Sequence, residues 1–335
     1  MRAVPVWTGP LDPACLPEAL LSADRPYLLR GAFAHWPAVQ AAKQSDQALA
    51  QHLLSFWRGK NVGLFQLPPE AQGRVFYGDE TLSNFNFERH IAPLDQVLEG
   101  LMKLAPVAAP PALYVGSTTV EMVLPGFLEA NPLNLGGRDG LVSLWLGNRS
   151  RIAAHFDVSD NIACVVAGRR RFTLFPPEQV GNLYIGPMDP TPAGQAISLV
   201  DFAKPDFERF PRFAQALEAA EVAEMEPGDA LYLPSMWWHH VEALSPVNLL
   251  VNAWWSQSPD YVDTPMNALN LALMTLRDLP AKEKRAWQQL FQHYIFDADD
   301  STWAHIPAEA RGLLGPVTES VSRQARTQLL NKLKR

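Results

Sequence analysis

Cysteine is nearly missing. Cys15 and Cys164 are the only two in 335 residues, too few for a disulfide framework and too far apart for a metal knuckle. Long apolar runs are missing as well. The longest charge-free stretches, Leu104–Val120 and Ala243–Pro259, are 17 residues each and are broken by proline or asparagine. Neither is expected to span a membrane. The start, Met1-Arg-Ala-Val-Pro-Val-Trp7, lacks the apolar segment of a secretory signal. Positive charge is the third shortage: 28 Lys and Arg against 35 Asp and Glu leave a net charge of −7. No overall cationic field attracts nucleic acid or anionic lipid. The expectation is a soluble cytoplasmic protein with no nucleic-acid and no membrane partner.

What is present is a globular composition, 47% hydrophobic and 19% charged, which excludes global disorder. At about 150 residues per domain the length allows two domains or one large one. Proline (29) and tryptophan (10) are both abundant, and the tryptophans fall where the chemistry does.

The first third reads as mixed. Arg25–Arg30 is a short strand candidate and Gln47–Trp57 a helix. Asp95–Leu104 carries Val97, Leu98, Leu101 and Leu104 at helical spacing, and Pro106, Pro110 and Pro111 stop it before an extended run at Leu113–Val115. Residues 140–256 then break into short β segments between Gly, Pro and Asn turns. The strands expected are Leu141–Leu146, Ile152–Asp157, Ile162–Val166, Arg170–Phe175, Asp229–Leu233, His239–Glu242 and Leu249–Trp255, with Pro211–Glu224 as a helical insertion. Many short strands with turn signals predict a sandwich or barrel. The last 70 or so residues turn helical again. Thr264-Pro265 opens a helix running to Asp278, followed by Ala281–Phe296 and Thr318–Lys334. The last has an apolar stripe at Val321, Ala325, Leu329 and Leu333, and its basic residues Arg323, Arg326, Lys332, Lys334 and Arg335 read as a solvated face.

The sharpest chemical feature is His155-Phe156-Asp157. On a strand, residues two apart share a face, so an imidazole and a carboxylate would point together. A third metal ligand is on offer in Trp237-Trp238-His239-His240-Val241. Two histidines and one carboxylate form the facial triad of non-haem Fe(II) oxygenases. Alone, a His-x-Asp pair also fits an ordinary structural or solvated strand end. Asn161 keeps the parity of Asp157. Arg170 shares parity with Phe172 and Leu174, so its guanidinium would enter an apolar interior and need an anion, in the protein or as a ligand. The competing reading leaves Arg169, Arg170 and Arg171 in water. Trp145, Trp237, Trp238, Trp254 and Trp255 cluster on these strands, most of them as expected core, one or two as pocket lining.

The ordered set His155-Phe-Asp157, Asn161 to Pro177, Asn182 to Pro187, Pro205 to Pro211, Pro227-Gly-Asp-Ala-Leu-Tyr-Leu-Pro234 and Trp237 to Val241 resembles the JmjC/cupin-like 2-oxoglutarate oxygenases. Arg25 to Gly31, Trp36-Pro37 and Phe76-Tyr77 also fit, so the resemblance covers about residues 20–256. It implies a mainly β protein with α elements, a double-stranded β-helix (jelly-roll) barrel with flanking helices. The catalytic domain would occupy residues 1–260, with its barrel core at about 110–256. A C-terminal helical extension would follow at 261–335, its helices packing on the barrel or, as in similar oxygenases, pairing with a second subunit in a homodimer. It implies Fe(II) held by His155, Asp157 and His239, the choice of His239 over His240 resting on the family pattern. It implies 2-oxoglutarate, its far carboxylate on Arg170 and Tyr114, with Asn161 and Asn252 near the metal and the proximal carboxylate. The family more often has Lys at the position of Arg170 and often Thr at that of Ile152. The implied activity is hydroxylation of a protein or peptide side chain or a small amino-acid-like molecule. The alternative is a metal-binding cupin-fold protein without oxygenase activity.

Overall fold

The computed structural model describes residues 1–12 and 15–334 and divides into two compact units, Met1–Ser256 and Gln257–Arg335. Arg335 of the basic tail lies outside the described residues.

In the first unit two sheets face one another. The smaller has six strands in the order Arg2–Ala3, Glu221–Met225, Arg170–Phe175, Trp238–Ala243, Ser150–His155 and Arg74–Val75. The larger has eight: Tyr27–Leu29, Ala230–Leu233, Asp160–Ala167, Asn248–Trp255, Leu141–Gly147, Ala112–Thr119, Asn61–Leu67 and Glu88–Pro93. Successive strands alternate between the sheets around residues 150–175, which is the jelly-roll arrangement expected.

Side-chain alternation explains the layering. In Asp160–Ala167 every residue is buried, because both faces of that strand are covered. Ala163 and Val165 face the smaller sheet and meet Phe172, Leu174, Ala223 and Val241. Ile162, Cys164 and Val166 face outward, under the helices Pro37–Gln44, Asp46–Phe56 and Leu94–Leu104. Trp36, Leu49, Leu53, Leu98 and Leu101 fill that layer. Ser45 caps the helix Asp46–Phe56 by accepting the Ala48 N–H.

Two expectations are corrected. The helix predicted over Pro211–Glu224 covers only Phe213–Ala219, and Glu221–Met225 is a strand against Arg170–Phe175. Helical propensity loses there to a two-residue burial period at Glu221, Ala223 and Met225. Glu221 can be buried because Arg25 reaches it at 2.8 Å. The strand predicted over Ile152–Asp157 is Ser150–His155, so Asp157 lies beyond its end. The strands Asn61–Leu67 and Glu88–Pro93 carried no clear alternation and were not expected.

The second unit holds helices Pro265–Thr275, Ala281–Phe291, Asp300–Trp303 and Glu319–Leu333, the second running on into one wider turn at Gln292–Phe296. Thr264 and Thr318 cap two of them. Within the stripe expected at Val321, Ala325, Leu329 and Leu333, the two leucines are exposed. Among the described residues no helix is long and apolar enough to cross a membrane.

Gly168 turns the chain from one sheet to the other just before Arg170. Its φ is +73°, and an added Cβ would lie 2.5 Å from the Val247 carbonyl oxygen and also strike the Asn248 side chain. Gly168→Ala should therefore destabilise the fold by about 1–3 kcal/mol, read as a lowered melting temperature of the metal-free protein.

Candidate metal centre

His155 closes the strand Ser150–His155 and stands opposite His239 on the neighbouring strand, with ring centroids 4.3 Å apart. Each ring is tied back through Nδ1, His155 to the Ala153 carbonyl at 2.9 Å and His239 to the Trp237 carbonyl at 3.0 Å. A carbonyl can only accept, so both Nδ1 atoms carry hydrogen, which in a neutral ring leaves Nε2 as the atom free to ligate. Asp157 brings Oδ2 to 3.7 Å from His239 Nε2. One ligand atom from each of the three lies within 4.8 Å of the others. Burial, with His155 adding to it and Asp157 opposing, pushes the His239 pKa down to about 4. The ring is neutral at pH 7, the form that ligates a metal.

A bulge makes this geometry. Between His239 and Val241 the register against Ser150–His155 shifts, so two steps on one strand match three on the other. Ile152 and His155 consequently both line the cavity despite their odd separation. Asp157 is held by its backbone: the Met236 N–H donates to its carbonyl at 2.9 Å.

His240 faces away. It stacks on Phe202 at 4.4 Å, and its pKa is pushed down to about 3, first by burial and then by Arg151. The two adjacent histidines are thus separated by the faces of one sheet.

The cavity between the sheets has a volume of about 520 Å³. His155 and His239 enter from the smaller sheet, Asp157 from the turn after Ser150–His155, and Asn161, Trp145, Asn252 and Trp254 from the larger sheet. Arg170 is 4% exposed and reaches this interior, donating from Nη2 to the Trp145 carbonyl at 3.4 Å. Its Nε is buried without a partner, and no carboxylate pairs with it among the described residues. Burial pushes the guanidinium pKa down to about 10, with Tyr114 opposing. Its neighbours behave otherwise: Arg169 is exposed and Arg171 pairs outside with Glu224 at 2.7 Å. The surface reading of the three arginines holds for those two alone. Tyr114 is buried on the larger sheet, and burial raises its phenol pKa, with Arg170 opposing and Asp157 adding. Ile152, Phe172, Val241 and Leu250 complete an apolar wall.

Asn252 accepts from Trp145 Nε1 at 2.7 Å and donates to Asn161 Oδ1 at 3.1 Å; Asn161 in turn donates to Asp157 Oδ2 at 3.4 Å. Sequence reading missed the indole of Trp254, which donates to the same Asp157 oxygen at 2.9 Å. Its parity with Asn252 on one strand was the available signal. Phe65 and Val75, also lining the cavity, come from strands that gave no signal.

Residues 13–261 match the family model of the cupin-like domain. The chain belongs to that family. It is 27% identical to HSPB1-associated protein 1 of Rattus norvegicus over 270 residues, which is 76% of this chain and 53% of the relative. It is 29% identical to Lysine-specific demethylase JMJ31 of Arabidopsis thaliana over 150 residues, 43% of this chain and 26% of that one. It is 33% identical to tRNA wybutosine-synthesizing protein 5 of Gallus gallus over 141 residues, 38% of this chain and 41% of that one. The chain therefore spans about half the length of the rat relative and less of the others.

Two outcomes follow from the geometry. Divalent metal at 100 times its dissociation constant should stabilise the protein by about 2.7 kcal/mol, seen as a raised melting temperature. The shift should vanish in His155→Ala, Asp157→Ala and His239→Ala and persist in His240→Gln. A buried guanidinium without an anion is costly, so Arg170→Met should melt at or above the parent temperature in ligand-free protein. A clear loss of stability would instead mark Arg170 as structural.

Proposed function

We propose that the chain is an Fe(II)- and 2-oxoglutarate-dependent dioxygenase that hydroxylates a protein or peptide side chain, or a small amino-acid-like molecule. The observation that carries this reading is the joint presence, in one cavity, of a His-Asp-His ligand set and a buried guanidinium with no anionic partner among the described residues. A protein that only bound a metal would need the first and gain nothing from the second.

The residues fit both groups. His155, Asp157 and His239 would hold the metal: two imidazole nitrogens and a carboxylate oxygen suit Fe(II) and leave positions open. Arg170 would take the far carboxylate of 2-oxoglutarate through a charge-assisted pair, with the Tyr114 hydroxyl beside it. When bound, Fe(II) and 2-oxoglutarate would supply, with O₂ as the oxidant, the conversion of a C–H bond to C–OH, one oxygen atom going to the product and the other to succinate as CO₂ leaves. The chain's own part is to bind, orient and exclude water. Ile152 leaves an apolar surface where the family often has a hydroxyl, so the far carboxylate depends more on the guanidinium fork. The wall of Phe172, Val241 and Leu250 keeps that charge pair out of water, which strengthens it.

The substrate reading follows the relatives' names, one of which is a protein-associated protein and one a lysine demethylase. The net charge of −7 argues against a nucleic-acid substrate. Exposed Trp287, Leu290, Ile295 and Phe296 in the C-terminal unit favour self-association as a homodimer.

Anaerobic addition of Fe(II) and 2-oxoglutarate should produce a weak visible charge-transfer band, and air should then yield succinate even without substrate. Asp157→Ala should lose both while remaining folded. Arg170→Met should keep metal binding but need far higher 2-oxoglutarate. A metal-loaded parent with neither band nor succinate would leave the non-redox metal-binding reading in its place.

A further inference from the structure

Asp157 lies past the end of its strand, so no sheet ladder fixes its side chain. A loop of hydrogen bonds does so instead. Trp145 Nε1 donates to Asn252 Oδ1 at 2.7 Å, Asn252 Nδ2 to Asn161 Oδ1 at 3.1 Å, and Asn161 Nδ2 to Asp157 Oδ2 at 3.4 Å. Trp254 Nε1 donates to that same oxygen at 2.9 Å. The Trp145 and Trp254 rings close the loop edge to face, 5.7 Å apart at 80°. Three adjacent strands of the larger sheet supply every donor, while the carboxylate faces the smaller sheet. Asn252 and Asn161 are 1% and 6% exposed, so water competes little for these bonds.

We infer that Trp254, backed by Asn161, is a positioning residue that holds Asp157 in the rotamer facing the two imidazoles, an inference that rests on the metal-centre reading. The indole is suited to the task. It is a donor only and cannot itself ligate a metal or accept the carboxylate's partners. Its ring is anchored against Trp145, so the N–H direction is fixed before metal arrives, and less freedom is lost on binding. Trp255 beside it provides a contrast: it also lines the cavity, but its N–H is buried without a partner.

The test is Co(II) binding to the full chain, followed by calorimetry and by the visible absorption of the bound ion. Trp254→Phe keeps the ring stack and deletes the N–H; it should weaken Co(II) by about 10–100-fold, the usual effect of losing a partner behind a ligand, and alter the Co(II) spectrum. Far-UV circular dichroism and melting of the metal-free protein should stay near the parent's. Trp255→Phe should leave affinity and spectrum unchanged. Asn161→Ala removes the longer donor, should weaken Co(II) by about tenfold, and serves as the test if Trp254→Phe does not fold. Parent-like affinity and spectrum in Trp254→Phe, or in Asn161→Ala in that event, overturn the inference while the metal centre stands. A parent that binds no Co(II) through His155, Asp157 and His239 overturns both.

Discussion

Opposite charges must be kept apart inside one cavity. Asp157 and Arg170 both face the space between the sheets, and no ion pair joins them. Had they met, each would have satisfied the other and neither could serve a ligand. The separation is built in from both ends. Arg170 leaves a strand of the smaller sheet and is steadied by the Trp145 carbonyl of the larger one. Asp157 is turned toward the imidazoles by donors from Asn161 and Trp254. Tyr114 stands electrostatically between the two, its phenol responding to both charges. A native interior tolerates such frustration mainly where ligands resolve it.

The sandwich supplies this arrangement through strand parity and one interruption of it. Regular alternation aims Asn252 and Trp254, or Arg170 and Phe172, into the same space. The candidate centre needs more than alternation, because Ile152 and His155 are an odd number apart. The shifted register opposite His239 and Val241 reconciles them. The same sheet face that admits His239 turns His240 outward against Phe202, where it remains neutral and unused.

Much of this was legible in the residues. The β segments between positions 140 and 256 were readable because covered strands are apolar runs bounded by Gly, Pro and Asn. Arg170 declared itself by parity with Phe172 and Leu174, and its buried, unpaired state bears out that reading over the solvated one. The failures have physical causes. Alanine-rich Phe213 to Met225 has helical propensity throughout, and only pairing with Arg170–Phe175 converts its second half to strand. The bulge is a property of two strands together, so neither strand's sequence contains it. Asp157 was expected on the strand because His-x-Asp alternates correctly, yet the strand stops two residues short. Phe65 and Val75 reach the cavity from strands whose own pattern is too weak to predict their placement.

Tryptophan is where sequence and chemistry diverge most. A cluster of Trp on barrel strands reads first as packing volume, since each buries a large apolar area. Trp238 fits that reading, set edge-on to Phe156 at 4.9 Å. Trp145 and Trp254 add something volume does not require, a directed N–H aimed into the cavity. In such a place a serine or asparagine could rotate and present a lone pair to the candidate metal site instead. An indole has no oxygen to offer, and its bulk prevents rotation once its neighbours are packed. The ring that fills the barrel wall thus also fixes the direction of a donor, so one residue meets the packing and the electrostatic demand together. A substitution that preserves volume and removes the N–H separates those two demands.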